Sequence, residues 1–325
     1  MKAIGRVSHS LFVFIISVTG AVGRGGARAY SIIVRWVQVQ EALALLKEKL
    51  NDENYIADDA LAATLYIAMR LNRPLLIEGA AGVGKTEVAK AASRAFGRPL
   101  VRLQCYEGLD ESKALYECNY QKQLLAIQMG KGEGTQQVKD LFGEEYLLER
   151  PLLKSIRSEE PVVLLIDEID KADAEFEAFL LELLSEMQVT IPEYGTVRAR
   201  SLPFIVLTSN HTRPLSEALR RRCAYLYIDY PDVRREIEIL RAKLPGLDEA
   251  LAAQVARAAA YLRQSDKVTK KPSVAESLDW ASALMALGVD ELDDESAAAT
   301  LGFALKNNDD IAQVLADDEF IRSFI

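Results

Sequence analysis

Residues 79–86 read Gly79-Ala80-Ala81-Gly82-Val83-Gly84-Lys85-Thr86, a glycine-spaced run closed by a lysine and a hydroxyl. Such a run can turn its backbone N–H groups inward on a phosphate, with the positive end of a following helix behind them. Lys85 is then placed to reach the β- and γ-phosphates of ATP, and the Thr86 hydroxyl to ligate Mg²⁺. That chemistry needs a strand before the loop and a helix after it. The apolar run 75–77 and the helical pattern 85–95 supply both, against the plain alternative of a glycine-rich turn.

Further along, residues 162–170 read VVLLIDEID, an apolar run that turns acidic. At the carboxyl end of a buried parallel strand, Asp167 would hold Mg²⁺ and Glu168 would polarise the attacking water as general base. A solvated acidic turn is the bland reading, and the adjacent second acid argues for hydrolysis over simple binding. The run 204–207 ends in Thr208-Ser209-Asn210, where Asn210 would orient water between the acids and the γ-phosphate. Asn is also favoured in ordinary turns. Arg220, Arg221 and Arg222 follow. They are either a basic helix end set against the helix dipole or the source of an arginine finger for a neighbouring subunit.

The elements that must position these residues alternate. Apolar runs at 75–77, 100–103, 162–166, 204–207 and 225–228 are short and lack alternation, as strands buried on both faces should. Helical stretches such as 85–95 and 174–186 separate them, so the expected fold class is α/β, a parallel sheet sandwiched by helices. Beyond Pro231 the strand signals end and an all-α lid subdomain is expected. The domain reading is a basic and apolar extension over 1–36, a nucleotide-binding α/β domain over 37–230 and the helical lid over 231–325.

The extension holds Lys2, Arg6, Arg24, Arg28 and Arg35 and no acid, which leaves 34 basic against 48 acidic residues, a net −14, for the rest. A body that acidic repels a nucleic-acid backbone, so no nucleic-acid partner is expected. The apolar run 11–19 resembles a secretory signal and is short for a membrane span. A secreted ATP hydrolase would lack ATP, so the extension is read as dispensable, with Val34 or Val37 as alternative starts. No membrane association and a cytoplasmic location are expected. Cys105, Cys118 and Cys223 form no CxxC pair and are read as buried small hydrophobes, and two histidines cannot build a multi-His zinc site.

The set GAAGVGKT, LLIDEID, TSN and LRRRC, in this order, resembles the AAA+ family over about residues 52–290, and more narrowly its MoxR branch. The stretch after Glu168, a helix running into a Pro/Gly-containing hairpin, is similar to that branch, and KPSVAESLDWASAL at 271–284 looks like its CoxD type. The resemblance implies an ATP hydrolase acting as a chaperone-like remodeller or in maturation of a metalloenzyme cofactor. It implies a ring, usually of six copies, a von Willebrand factor A-domain partner and a client metalloenzyme. It gives Asn210 the first γ-phosphate sensor role, makes Arg222 the finger, and places Tyr55 and Ile56 at the adenine. Two positions depart from the pattern. Val274-Ala275-Glu276 stands where many relatives carry a second sensor cation, and Lys171 stands where many carry Arg, which is not an equivalent exchange. A nucleic-acid motor of the same fold and an ATP-binding scaffold with little turnover are the rival readings.

Overall fold

The apolar runs read as strands form the centre of the molecule. The chain is described by a computed structural model over residues 26–129, 147–191 and 195–324. In chain order, helices α1 (Gly26–Asp52) and α2 (Asp59–Arg70) precede strand β1 (Leu75–Gly79), and α3 (Lys85–Ala95) leads to β2 (Leu100–Gln104). Then come α4 (Glu111–Ala114), β3 (Tyr116–Cys118), α5 (Tyr120–Met129), β4 (Leu147–Glu149) and α6 (Pro151–Arg157). Strand β5 (Val163–Asp167), a 3-10 turn (Ile169–Lys171), α7 (Ala174–Glu186), β6 (Gln188–Ile191) and β7 (Gly195–Arg198) follow. Strand β8 (Phe204–Ser209), α8 (Glu217–Arg222) and β9 (Ala224–Ile228) complete the α/β part. The helical part holds α9 (Val233–Lys243), α10 (Glu249–Gln264), α11 (Val274–Ala286), α12 (Asp294–Ala304), α13 (Asn308–Leu315) and α14 (Asp318–Phe324).

Five strands pair in the order β2-β5-β8-β1-β9, all parallel. The three central strands β1, β5 and β8 are buried at every position, as their unbroken apolar runs require. Successive side chains enter opposite cores. Leu75, Ile77, Val163, Leu165 and Val206 pack toward α1, α2 and α3, while Leu76, Leu164, Ile166, Ile205 and Leu207 pack toward α6, α7 and α8. The outer strands differ from the expectation of burial on both faces: β2 and β9 alternate between buried and more exposed positions, because each has a neighbour on one side only.

Helix α1 begins at Gly26, so the domain boundary read at 36 falls inside it; residues 1–25 of the extension lie outside the described residues. The helical part has its own core around Trp280, whose indole N–H donates to Thr300 Oγ1 at 2.8 Å. Within it Arg263 makes two bonds, 2.6 and 2.7 Å, to the fully buried Glu236 carboxylate. Ser273 and Glu276 form a capping box at the start of α11, which brings that helix end onto the loop after β1. There Ala275 N–H donates to Gly82 O at 3.2 Å.

Candidate nucleotide-binding site

The loop 79–86 leaves β1 between β8 and β9 and opens α3, so its backbone N–H groups gather at the carboxyl edge of the sheet. Gly82 and Gly84 take φ of 74° and 94°, the left-handed region in which a side chain is strained. Gly82 is also required by contact: a Cβ there would lie 2.3 Å from Ser273 Oγ. Lys85 is buried and donates to Gly79 O at 2.9 Å, to Ala80 O at 2.6 Å and to Asn210 Oδ1 at 2.7 Å. Burial pulls its ammonium below the usual lysine range, opposed by the charges of Asp170, Glu168 and Asp167.

Asp167 ends β5 and is buried. Its Oδ1 accepts from Thr86 Oγ1 at 2.9 Å and from Thr208 Oγ1 at 2.6 Å, and its Oδ2 accepts from Arg102 Nε at 3.0 Å. The backbone turns sharply at Glu168, φ 57°, a left-handed value that Glu seldom adopts. Its N–H is held by Thr208 Oγ1 at 2.9 Å. The Glu168 carboxylate accepts from Gln104 Nε2 at 2.9 Å and Asn210 Nδ2 at 3.2 Å, and pairs with Lys171 Nζ at 2.6 Å. Asn210 is fixed in turn by Asp170, which accepts from Asn210 N at 3.2 Å and from Thr212 N at 3.0 Å. Burial alone would raise the Asp170 carboxyl, and the bonds from Thr212 and Asn210 bring it below the ordinary range.

Five residues singled out in the sequence, Lys85, Thr86, Asp167, Glu168 and Asn210, therefore meet in one hydrogen-bonded cluster. Tyr55 and Ile56 line an adjoining cavity of about 280 Å³ together with Gly82, Val83, Gly84 and Thr86. Helices α9 and α11 close its other side with Arg235, Ile239, Val274 and Leu278. An apolar slot beside a phosphate loop suits a nucleoside. For Mg²⁺, the donor set also fits: a hydroxyl and a carboxylate 2.9 Å apart offer hard oxygens and leave the remaining positions to phosphate and water. Among the described residues no three His, Cys, Asp or Glu side chains gather as a dedicated metal cage.

Arg222 stands apart from the cluster. It donates to Ser185 Oγ and to Ala218 O at the last turn of α8, next to the amino end of β9. Arg220 is held by the buried Glu78 carboxylate at 2.7 and 2.9 Å, whereas Arg221 is largely exposed beside Glu217. Lys270 lies 3.7 Å from Glu276, and Lys271 bonds Ser265 O. Cys105 and Cys223 are buried free thiols, and burial pushes each up to about 12, so they pack as neutral groups. The Cys118 side chain lies outside the described residues.

Sequence reasoning missed Arg102, Gln104 and Arg235. The first two sit two apart on β2 and so share a face. Two polar groups in an otherwise apolar strand were a readable signal. Arg235 gave none, since a basic residue in a helix's first turn reads as solvated.

Residues 74–223 match the family model for the AAA domain, dynein-related subfamily. An uncharacterised protein of Staphylococcus haemolyticus is 26% identical over 224 residues, 67% of this chain and 77% of the relative. One from Staphylococcus saprophyticus is 26% identical over 241 residues, 72% of this chain and 84% of the relative. Among solved structures, the Holliday junction branch migration motor RuvB of Thermotoga maritima aligns with a TM-score of 0.42 at 17% identity, covering 78% of this chain and 68% of that one. Over residues 74–223, which hold the phosphate loop and strands β1 to β8, the chain is similar to an AAA domain.

Proposed function

We propose that the protein hydrolyses Mg-ATP and uses the cycle to remodel a client protein, as a chaperone-like ATPase of the MoxR type. The observation that carries the hydrolytic part is the cluster itself: Lys85 and Asn210 bridge the phosphate loop to Glu168, and Thr86 bridges it to Asp167. In this reading the loop N–H groups and Lys85 hold the phosphates, and Thr86 and Asp167 hold the metal, which supplies charge neutralisation at the γ-phosphate when bound. Glu168 accepts the proton of the attacking water, which Asn210 helps to orient. Arg222 acts on a neighbouring copy in a ring. The ring size, a von Willebrand factor A-domain partner, a metalloenzyme client and a cytoplasmic setting belong to the same proposal and rest on motif resemblance. Among the described residues no helix is long and apolar enough to cross a membrane.

The test is steady-state ATP hydrolysis by the full chain over a range of protein concentrations, beside Glu168→Gln and Arg222→Ala. Specific turnover that rises with concentration and is lost in both variants, with ATP still bound by Glu168→Gln, is the outcome this reading requires. Tight ATP binding without turnover at any concentration would instead favour a nucleotide-regulated scaffold. On that side stands Glu276, which caps the start of α11 where the resemblance would put a second sensor cation.

A further inference from the structure

The Asp167 carboxylate is saturated with donors. A carboxylate offers about four lone-pair sites on its two oxygens. Oδ1 accepts from Thr86 Oγ1 at 2.9 Å and from Thr208 Oγ1 at 2.6 Å. Oδ2 accepts from two guanidinium nitrogens of Arg102, Nε at 3.0 Å and a terminal nitrogen at 2.5 Å. The Asp167 side chain is only 2% exposed, so solvent reaches almost none of it. These donors are not equally fixed. Thr86 stands in the first turn of α3, and Thr208 is buried and also accepts from the Glu168 N–H. A hydroxyl has two lone pairs beside its one proton, so Thr86 can face a cation while still donating to Asp167. Arg102 has no lone pair to offer and no accessible neutral form. It lies on the edge strand β2, and its long side chain is 47% exposed.

We propose that Arg102 is a resident counter-ion of Asp167 that must leave Oδ2 before Thr86 and Asp167 can hold a divalent cation, so that it sets the metal affinity of the site. This rests on the reading of those two residues as the metal pair. With Oδ1 taken by two hydroxyls, Oδ2 is the oxygen left for a cation or its bound water, and Arg102 stands on it. A divalent cation there would lie within a few ångströms of a guanidinium that cannot lose its charge. Like charges at that range repel strongly where water is largely shut out. The exposed side chain gives Arg102 room to swing away, and Gln104 Oε1, which also accepts from it, remains as a partner on β2. Each cation bound therefore displaces a charge-assisted bond, which lowers the net affinity. Arg102 acts through Asp167 and touches no reacting atom, so it is a positioning residue.

The test is titration of the full chain, in excess over ADP, with Mn²⁺ as the probe, read by electron paramagnetic resonance. Arg102→Ala and Arg102→Gln remove the charge and should bind Mn²⁺ about 10-fold more tightly than the unaltered protein, the worth of one charge-assisted bond. Arg102→Lys keeps an ammonium within reach of Oδ2 and should stay near the unaltered affinity. Equal or weaker Mn²⁺ binding in the two neutral variants would overturn the proposal, since the guanidinium would then leave the metal acid alone or support it. Binding by Arg102→Lys as tight as by Arg102→Ala would overturn it too, because the charge would not be the cause. A measurement that needs no variant is a crystal structure of the unaltered chain with Mn²⁺ and ADP. Arg102 should be off Oδ2 there, and finding it still bonded beside the metal would end the idea. If Asp167→Asn loses Mn²⁺ while the Arg102 variants change nothing, the metal pair stands and this inference falls. No Mn²⁺ bound by either the unaltered chain or Arg102→Ala would sink the metal reading and this inference together.

Discussion

Glu168 is held from three directions, by Gln104, Lys171 and Asn210, on a backbone bent into the left-handed region. Strain of that kind persists only where surrounding bonds over-determine it. Thr208 supplies one such bond, through its hydroxyl to the Glu168 N–H. Glu168→Gln preserves size and most of these partners and removes the base. Turnover should fall by about 10²- to 10⁴-fold with ATP affinity retained, read by phosphate release beside equilibrium binding. Asp58 carries a second residue-scale prediction. Burial would raise its carboxyl, but the bonds from Leu61 N and from Arg235 hold it below the ordinary range. A depressed carboxyl contributes stability that is present above the unfolded pKa and is lost as pH falls through the folded one. The difference in melting temperature between the unaltered protein and Asp58→Asn should therefore shrink on acidification below about pH 4. A difference independent of pH would show that the carboxylate charge does not matter there.

At the scale of elements, the site depends on two contacts between pieces of secondary structure. The first is β5 clamped between β2 and β8, which delivers Asp167 to the sheet edge. Leu164 in its middle is fully buried, so Leu164→Ala should cost about 2–5 kcal/mol in urea unfolding. The second is the start of α11 seated on Gly82, where a Cβ would come within 2.6 Å of Ser273 Cβ. Gly82→Val should push that helix end off the loop. ADP affinity should then drop sharply while the helical content seen by circular dichroism stays the same. Normal ADP affinity in this variant would mean that the seating of α11 has no part in the site.

At the scale of the whole molecule, the described residues form two cores in the α/β part and a third in the helical part. Arg235 bonding Asp58 and Ile56, and Ala275 bonding Gly82, tie the last to the first two across the cavity. Arg263 and Glu236, 6% and 0% exposed, lie inside the helical part on α10 and α9. Removing one partner of such a pair leaves a buried charge, so Arg263→Leu should cost about 3–5 kcal/mol in a denaturant titration. If the two parts unfold as one unit, the phosphate site will lose stability by the same amount; separate transitions would show that they do not.

The loop, the two acids and the strand order of events along the chain were legible because they depend on local pattern: residue spacing, unbroken apolar runs and Gly where only Gly fits. Helices α3 and α7 fall where the periodicity places them. Burial is also a local signal in the central strands, since both faces must be apolar there. The edge strands, the early start of α1, the guanidinium on Asp167, the amide on Glu168 and the reach of Arg235 were decided only by tertiary structure. Each joins residues far apart in sequence, such as Arg235 and Ile56, or depends on which strand ends up at an edge. Composition and periodicity carry no information about such distances, because a side chain's partner is set by how the sheet orders its strands and where the helical part comes to rest on it.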